Sequence, residues 1–221
     1  MQRVLRDHSL SLVMFGLFMV FLVGQSVTGF QVYNDDQREH GEPAISYVDY
    51  LQTGHFIEAT FENWESEYLQ MGAYVLFTVF LFQRGSSESK DPDKEDPVDE
   101  DPRQALTRSD VPWPVRFGGP VLKLYEHSLA LAFVLLFLVS FLLHAVGGAH
   151  EYSQEQLAHG GQAVSTLEFL RTSVFWFQSF QNWQSEFLAI GCMVIFSIFL
   201  RQKGSPESKP VDAPHWETGG G

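Results

Sequence analysis

The chain has 221 residues, of which 45% are apolar and 19% charged, and its 27 Asp and Glu outnumber its 14 Lys and Arg, for a formal net charge of −13. Because phosphate backbones attract basic surfaces, this charge argues against nucleic acid as a partner. The single Cys excludes an intrachain disulfide framework and any cysteine-rich zinc or iron–sulfur site.

Four apolar blocks, separated by the charged residues, predict four transmembrane helices. Residues 10–30 carry no charged side chain, and at 1.5 Å per residue they cover about 30 Å, one hydrocarbon thickness. A second long block occupies residues 124–148, and two shorter blocks occupy residues 68–83 and 187–200. A cleaved signal peptide is the alternative for the first block, but an equivalent segment recurs in mid-chain, where no signal peptide can lie.

The basic residues predict the orientation of the four spans. If the N-terminus, the middle linker and the C-terminus are cytoplasmic, 12 of the 14 Lys and Arg lie inside and only Arg38 and Arg171 lie outside. The positive-inside rule selects this topology. The sequence therefore predicts a multi-pass membrane protein, with the lipid bilayer as its constant partner and both termini cytoplasmic.

The chain matches itself after a shift of 119 residues, which predicts a tandem duplication. Between residues 8–90 and 127–209, 35 of 83 positions are identical. Each copy holds two spans, so the copies enter the membrane in the same direction, as in parallel repeats related by a pseudo-twofold axis. The predicted organisation is repeat 1 (residues 1–84, outer loop 31–57), a linker (85–120), repeat 2 (121–203, outer loop 149–174) and a C-terminal tail (204–221).

The expected fold is all-α, two transmembrane hairpins with short outer interfacial helices. Ser46-x-x-Asp49 and Ser165-x-x-Glu168 resemble capping boxes, and apolar residues follow them at helical spacing. An extended loop is the alternative for these segments. The linker is acidic and punctuated by Asp-Pro steps, so we expect it to be disordered, like the tail.

A length calculation gives a candidate intramembrane polar site. The charge-free core of the fourth span reaches only about 21 Å, so its helix begins earlier and includes polar residues in the outer third. The second span gives the same result. The polar residues are Glu67, Asn63 and Ser66 in repeat 1, and Glu186, Asn182 and Ser185 in repeat 2.

Two interpretations of this site remain open. The two Glu side chains can face the pseudo-twofold axis as a pair that relays a proton or binds a cation. Alternatively they snorkel to the outer surface, while the Asn and Ser side chains join helices or cap them.

Two histidines form a second candidate site. His40 and His159 are each the His of a Gln-x-x-His-Gly pattern in an outer loop, and with Glu67 and Glu186 they can form a His/carboxylate metal site. No H-E-x-x-H spacing supports a metal, and a turn with a solvated His is the alternative. No nucleotide, haem or hydrolase motif is present in the sequence, so we predict no cofactor and assign no catalytic residue.

Three repeated motifs, Q-x-x-H-G, N-W-x-S-E-[FY]-L and G-S-x-E-S-K, resemble those of a family of small bacterial integral membrane proteins known as a domain of unknown function. The resemblance covers nearly the whole chain outside the linker and implies a bacterial membrane location.

Three function classes follow from the sequence. The first is a non-enzymatic structural, assembly or stress-related membrane component, which the lack of a catalytic motif favours. The second is a small proton or cation transporter or channel that uses Glu67 and Glu186. The third is a His/Glu metal-dependent membrane protein. A homo-oligomer or a membrane-protein partner is compatible with each.

Overall fold

The computed structural model describes residues 2–219, and no strand occurs among them. Residue 1 of the predicted first repeat and residues 220 and 221 of the predicted tail lie outside the described residues, as do the side chains of residues 2–4. The helices in chain order are α1 (Gln2–Asp7), α2 (Ser9–Glu39), α3 (Tyr47–Tyr50), α4 (Gly54–Phe77), α5 (Trp113–Phe117), α6 (Gly119–Glu126), α7 (Ser128–Ala158), α8 (Thr166–Phe169) and α9 (Ser173–Phe199), with 3-10 helices at Pro97–Asp99 and Pro102–Thr107.

The order of a long helix, a one-turn helix and another long helix occurs twice, with the starts of corresponding helices 119 residues apart. α2 and α7 have 31 residues each, α3 and α8 have four each, and α4 and α9 have 24 and 27. The two halves of the sequence therefore specify the same local structure.

Three helices, α2, α7 and α9, are long and apolar enough to cross a membrane. Their apolar side chains are mostly exposed. Phe15 and Phe21 of α2, for example, are 71% and 69% exposed. Continuous apolar surfaces of this extent are unfavourable in water. The three helices are compatible with a membrane protein.

α4 does not belong to that set, because four carboxylates lie along it. Glu58, Glu62, Glu65 and Glu67 occupy its first two thirds. The predicted span at residues 68–83 is helical only as far as Phe77; residues 78–80 form turns, and residues 81–83 have no regular secondary structure. The prediction of a helix over those six residues is therefore wrong. They lead instead into the G-S-x-E-S-K segment, where the backbone N–H of Gln83 binds the Ser89 hydroxyl at 2.9 Å.

The long helices extend into the predicted outer loops, and the predicted short helices are one turn each. α8 has a complete capping box, in which Ser165 Oγ accepts from the Glu168 N–H at 3.3 Å and the Ser165 N–H donates to the Glu168 carboxylate at 2.7 Å. In α3 the shorter Asp49 carboxylate instead accepts from the Ser46 hydroxyl at 2.6 Å.

The chain forms two compact units, which are not the two sequence repeats. The first, unit 1, combines Met1–Phe61 with Leu143–Phe175. Its core includes Tyr50 of α3 and Phe169 of α8, which are counterparts in the two repeats and are almost completely buried. A Cβ at Gly29 would collide with the Tyr50 hydroxyl, and one at Gly148 would lie 2.5 Å from the Phe169 ring. The absence of a side chain at Gly29 and Gly148 therefore leaves room for the rings of Tyr50 and Phe169.

The second, unit 2, combines Glu62–Leu142 with Trp176–Gly221. α5 packs on α6, and Val115 of α5, Leu122 of α6 and Val111, just before α5, form a small buried cluster. Each G-S-x-E-S-K segment forms the same turn: Gly85 and Gly204 adopt φ values of +88° and +86°, a backbone conformation that glycine adopts without strain.

The predicted disorder of the linker and the tail stays a prediction, and the structure places ordered contacts in both. The linker contains the two 3-10 helices and α5. In the tail, the Lys209 ammonium is buried and donates to the carbonyls of Pro214, His215 and Glu217. The Arg201 guanidinium, at the end of α9, donates to the Pro210 and Ala213 carbonyls.

Candidate functional site

The polar contact between α4 and α9 in unit 2 contains a fully buried carboxylate. Glu65 has no accessible surface, and its Oε1 atom accepts a hydrogen bond of 2.9 Å from the indole Nε1–H of Trp183. The rings of Phe137 and Phe180 meet the indole edge-to-face, with centroids 6.3 and 5.6 Å away. Packing therefore orients the indole so that its N–H points at the carboxylate.

A second carboxylate on α4 has its own donor on α9. Asn182 Nδ2 donates to Glu62 Oε1 at 2.8 Å and to the Gln178 carbonyl at 3.1 Å. Because Glu62 and Glu65 are three residues apart, they are neighbours on the helix surface. Two consecutive residues of α9, Asn182 and Trp183, thus donate hydrogen bonds to two neighbouring carboxylates of α4.

The two predicted serines act within their own helices. Ser66 Oγ donates to the Asn63 carbonyl at 2.7 Å, and Ser185 Oγ donates to the Asn182 carbonyl at 2.8 Å. Ser66 is buried, whereas Asn63 is exposed. The predicted polar face of α4 is therefore divided between the interior and the surface.

The two predicted carboxylates are less buried than Glu65. Glu67 is exposed and Glu186 is half-buried. Their like charges interact within unit 2. The role predicted for Glu67 and Glu186 stays a prediction.

Sequence reasoning missed Glu62 and Glu65 because it concentrated on what the repeats share. The counterparts of these residues in repeat 2 are Gln181 and Gln184. A comparison of the differences between the copies would have found two amides replaced by two acids on one helix face. That substitution is the sequence signal for this site.

The histidines of the second candidate site line one pocket of about 530 Å³ in unit 1. His40 follows the last residue of α2, and His159 follows the last residue of α7. Each ring bonds through Nδ1 to the backbone carbonyl four residues earlier, at 2.9 Å from Asp36 O and 2.8 Å from Glu155 O. A carbonyl oxygen can only accept, so Nδ1 carries the proton, and in the neutral ring Nε2 is the acceptor.

Glu151 lines the same pocket, and its carboxylate is partly enclosed by the start of α4. The backbone N–H of His55 donates to it, while its Oε2 atom is buried without a hydrogen-bond partner. The two backbones approach closely here, since a Cβ on Gly54 would lie 2.6 Å from Gly147 O and 2.7 Å from Glu151 N. Burial raises the pKa of the neighbouring Tyr50 phenol, and the charge of Glu151 raises it further.

The metal site predicted from His40, His159, Glu67 and Glu186 stays a prediction. The histidines belong to unit 1 and the two glutamates to unit 2. No group of three His, Cys, Asp or Glu side chains with ligand atoms within 4.8 Å of one another includes His40 or His159 in residues 2–219.

The described residues form an all-helical protein, and three of its helices are long and apolar enough to cross a membrane. Residues 1–220 match the family model described as Domain of unknown function (DUF6766), and the chain belongs to that family. The family resemblance expected from the sequence is thus confirmed. No curated protein and no solved structure matches the chain.

Proposed function

We propose that the chain is a small membrane transporter for a proton or a small cation, and that Glu62 and Glu65 of α4 lie on the path. The buried Glu65 carboxylate, held by Trp183, is the observation that carries the proposal. Ionisable side chains within transmembrane helices are energetically unfavourable, and they mark ion pathways and proton relays.

The second repeat supports a functional rather than a purely structural role for these acids. Gln181 and Gln184 occupy the corresponding positions of α9. An amide can accept a hydrogen bond as a carboxylate does, without the desolvation penalty of a charge. Helix packing alone would be served by Gln in both copies, so the acids in α4 suggest a requirement for charge.

We also propose that α4 is the fourth span, that the fold arose by tandem duplication, and that both termini are cytoplasmic in a bacterial plasma membrane. The repeated helix order and the distribution of Lys and Arg support these points. Labelling of single cysteines introduced in a Cys192→Ala background tests the topology. Cysteines at positions 40 and 159 should react with an impermeant maleimide from outside, and one at position 90 should react only after permeabilisation.

Flux into proteoliposomes tests the transport proposal. We expect proton or monovalent cation uptake by the native protein, and at least tenfold slower uptake with Glu65→Gln. Glu67→Gln is the matched control, because it removes the same charge from an exposed position on the same helix. Loss of flux in Glu67→Gln and Glu186→Gln, with normal flux in Glu65→Gln, would instead place Glu67 and Glu186 on the path.

A structural or assembly component is the second candidate function. The hydrogen bonds from Asn182 and Trp183 to α4 favour it, because interhelical polar contacts also join helices in membranes. This function predicts no flux with any tested ion and a lower thermal stability of Glu65→Gln. Native flux that Glu65→Gln abolishes at unchanged stability would exclude it as the sole role.

A further inference from the structure

The short helix α5 of unit 2 has one buried and one exposed apolar face. Pro114 and Val115 are buried, whereas Trp113 and Phe117 are 68% and 76% exposed. The two exposed rings are four residues apart, so they share a face of the helix. They meet edge-to-face, with ring centroids 6.3 Å apart. The pair therefore forms one aromatic surface that is open to solvent or lipid.

α6 continues this exposed apolar surface to the start of α7. Leu124 and Tyr125 of α6 are 63% and 45% exposed, and only His127 separates α6 from α7. α6 has eight residues, which measure about 12 Å, and α5 packs on it. α7 is long and apolar enough to cross a membrane. Where α7 enters a bilayer, α5 and α6 therefore lie close to the bilayer surface.

The sign of the charge changes along the linker before α5. Residues 91–101 contain seven Asp or Glu and one Lys, whereas residues 113–125 contain Arg116 and Lys123 and no acid. Both basic side chains are exposed. Arg116 lies three residues after Trp113, on the same face of α5. A helix face with exposed aromatic and basic residues is typical of segments that lie in the headgroup region of a membrane.

We propose that residues 113–126, here called the interfacial anchor, dock on the bilayer surface beside the start of α7. The rings of Trp113 and Phe117 enter the boundary between headgroups and acyl chains, and Arg116 and Lys123 bind anionic headgroups. The acidic residues 91–101 stay in water, because anionic lipid repels them. The inference rests on the membrane location within the proposed function, and it is independent of transport.

Spin labelling of the full-length protein in nanodiscs tests the inference. Single nitroxides are attached in Phe117→Cys, Glu95→Cys and Leu135→Cys, each in a Cys192→Ala background. Their collisions with oxygen, which concentrates in lipid, are compared with collisions with a water-soluble nickel chelate. We expect the label at position 117 to favour oxygen, like the label at position 135 in α7, and the label at position 95 to favour the chelate. All three labelled positions are exposed, so the variants should fold.

Two further variants, each with the label at position 117, assign the docking to particular side chains. Trp113→Ala should raise the rate of collision with the nickel chelate at least threefold, because it removes the larger ring from the lipid. Arg116→Gln combined with Lys123→Gln should raise this rate at least twofold in nanodiscs that contain phosphatidylglycerol, and should leave it unchanged in phosphatidylcholine. The three residues are exposed, so these variants should fold too.

The label at position 135 separates failure of the anchor from failure of the proposed membrane location. If that label is protected in lipid while the label at position 117 meets the chelate as often as the label at position 95, the inference is overturned. An immobilised label at position 117 that neither reagent reaches would also overturn it, because a protein would then cover the face. If the chelate reaches position 135 freely, α7 does not cross the bilayer, and both the anchor and the proposed membrane location are wrong.

Discussion

Trp183 of α9 donates its indole N–H to the Glu65 carboxylate of α4 at 2.9 Å, and Glu65 has no accessible surface. The contact pairs a motif residue that both repeats share with an acid that only the first repeat has, since Gln184 stands at the position corresponding to Glu65. The helix order occurs twice in the chain, whereas the polar side chains at this contact differ between the two occurrences.

The first prediction concerns the strength of this hydrogen bond. Trp183→Phe should destabilise the protein by about 1–3 kcal/mol, because it removes a donor from a buried carboxylate. Thermal unfolding in a mild detergent measures the change. In a Glu65→Ala background the same substitution should be about 1 kcal/mol or more less damaging, since no carboxylate then needs the donor. Strictly additive effects of the two substitutions would show that the hydrogen bond contributes nothing.

The second prediction concerns the close approach of α4 and α7 in unit 1. Gly147→Ala should cost about 1–3 kcal/mol, since a Cβ there would lie 2.7 Å from the backbone nitrogen of Glu58 and 2.8 Å from an Ile57 methyl. Gly54→Ala should behave in the same way. Thermal unfolding again provides the measurement.

Gly16→Ala and Gly24→Ala serve as controls for that experiment. Nothing lies within 4 Å of a Cβ at either position, and alanine is the better helix former. Both variants should therefore be at least as stable as the native protein. If all four substitutions have the same effect, Gly54 and Gly147 have no special packing role.

The sequence predicted the all-helical class and the apolar helices well, because long charge-free blocks have few alternatives in a protein. The apolar blocks did not indicate how far the helices extend. The predicted outer loops begin at residues 31 and 149, yet α2 continues to Glu39 and α7 to Ala158. Polar residues continue a helix as readily as apolar ones once it has formed, so hydropathy does not locate its end.

The candidate sites were predictable only in part. Asn182 was chosen for its position on the helix, and its side chain donates to the carboxylate of Glu62, a residue that the sequence analysis did not select. Rotation of α4 about its axis decides which acids are buried, and that rotation depends on tertiary contacts such as Trp183 with Glu65. The shared pocket of His40 and His159 likewise depends on tertiary packing within unit 1.

The third prediction is a pH dependence at the capping box of α8. The backbone N–H and the hydroxyl of Ser165 bind the Glu168 carboxylate and hold its pKa below its ordinary value. Because the pKa is lower in the folded than in the unfolded state, the cap stabilises α8 above the unfolded pKa. That contribution is lost as the pH falls through the folded pKa.

Carboxyl carbon NMR shifts of labelled glutamate measure this titration, with Glu168→Gln to assign the signal. Ser165→Ala removes the hydroxyl but keeps the backbone donor, so it should raise the midpoint part of the way toward the ordinary value. An unchanged midpoint in Ser165→Ala would mean that the hydroxyl has no influence on the carboxylate.

The fourth prediction distinguishes an ordered from a disordered C-terminal tail. Lys209 donates to three tail carbonyls, and the Gly219 N–H donates to the Ser86 carbonyl. Lys209→Gln keeps most of the length of the side chain but cannot supply three donors. Hydrogen exchange of peptides covering residues 210–219 should accelerate at least tenfold in this variant. Lys203→Gln, at an exposed position in the preceding turn, should leave the exchange unchanged. Full exchange of these amides in the native protein within seconds would instead support the disorder expected from composition, and would mean that Lys209 does not hold the tail.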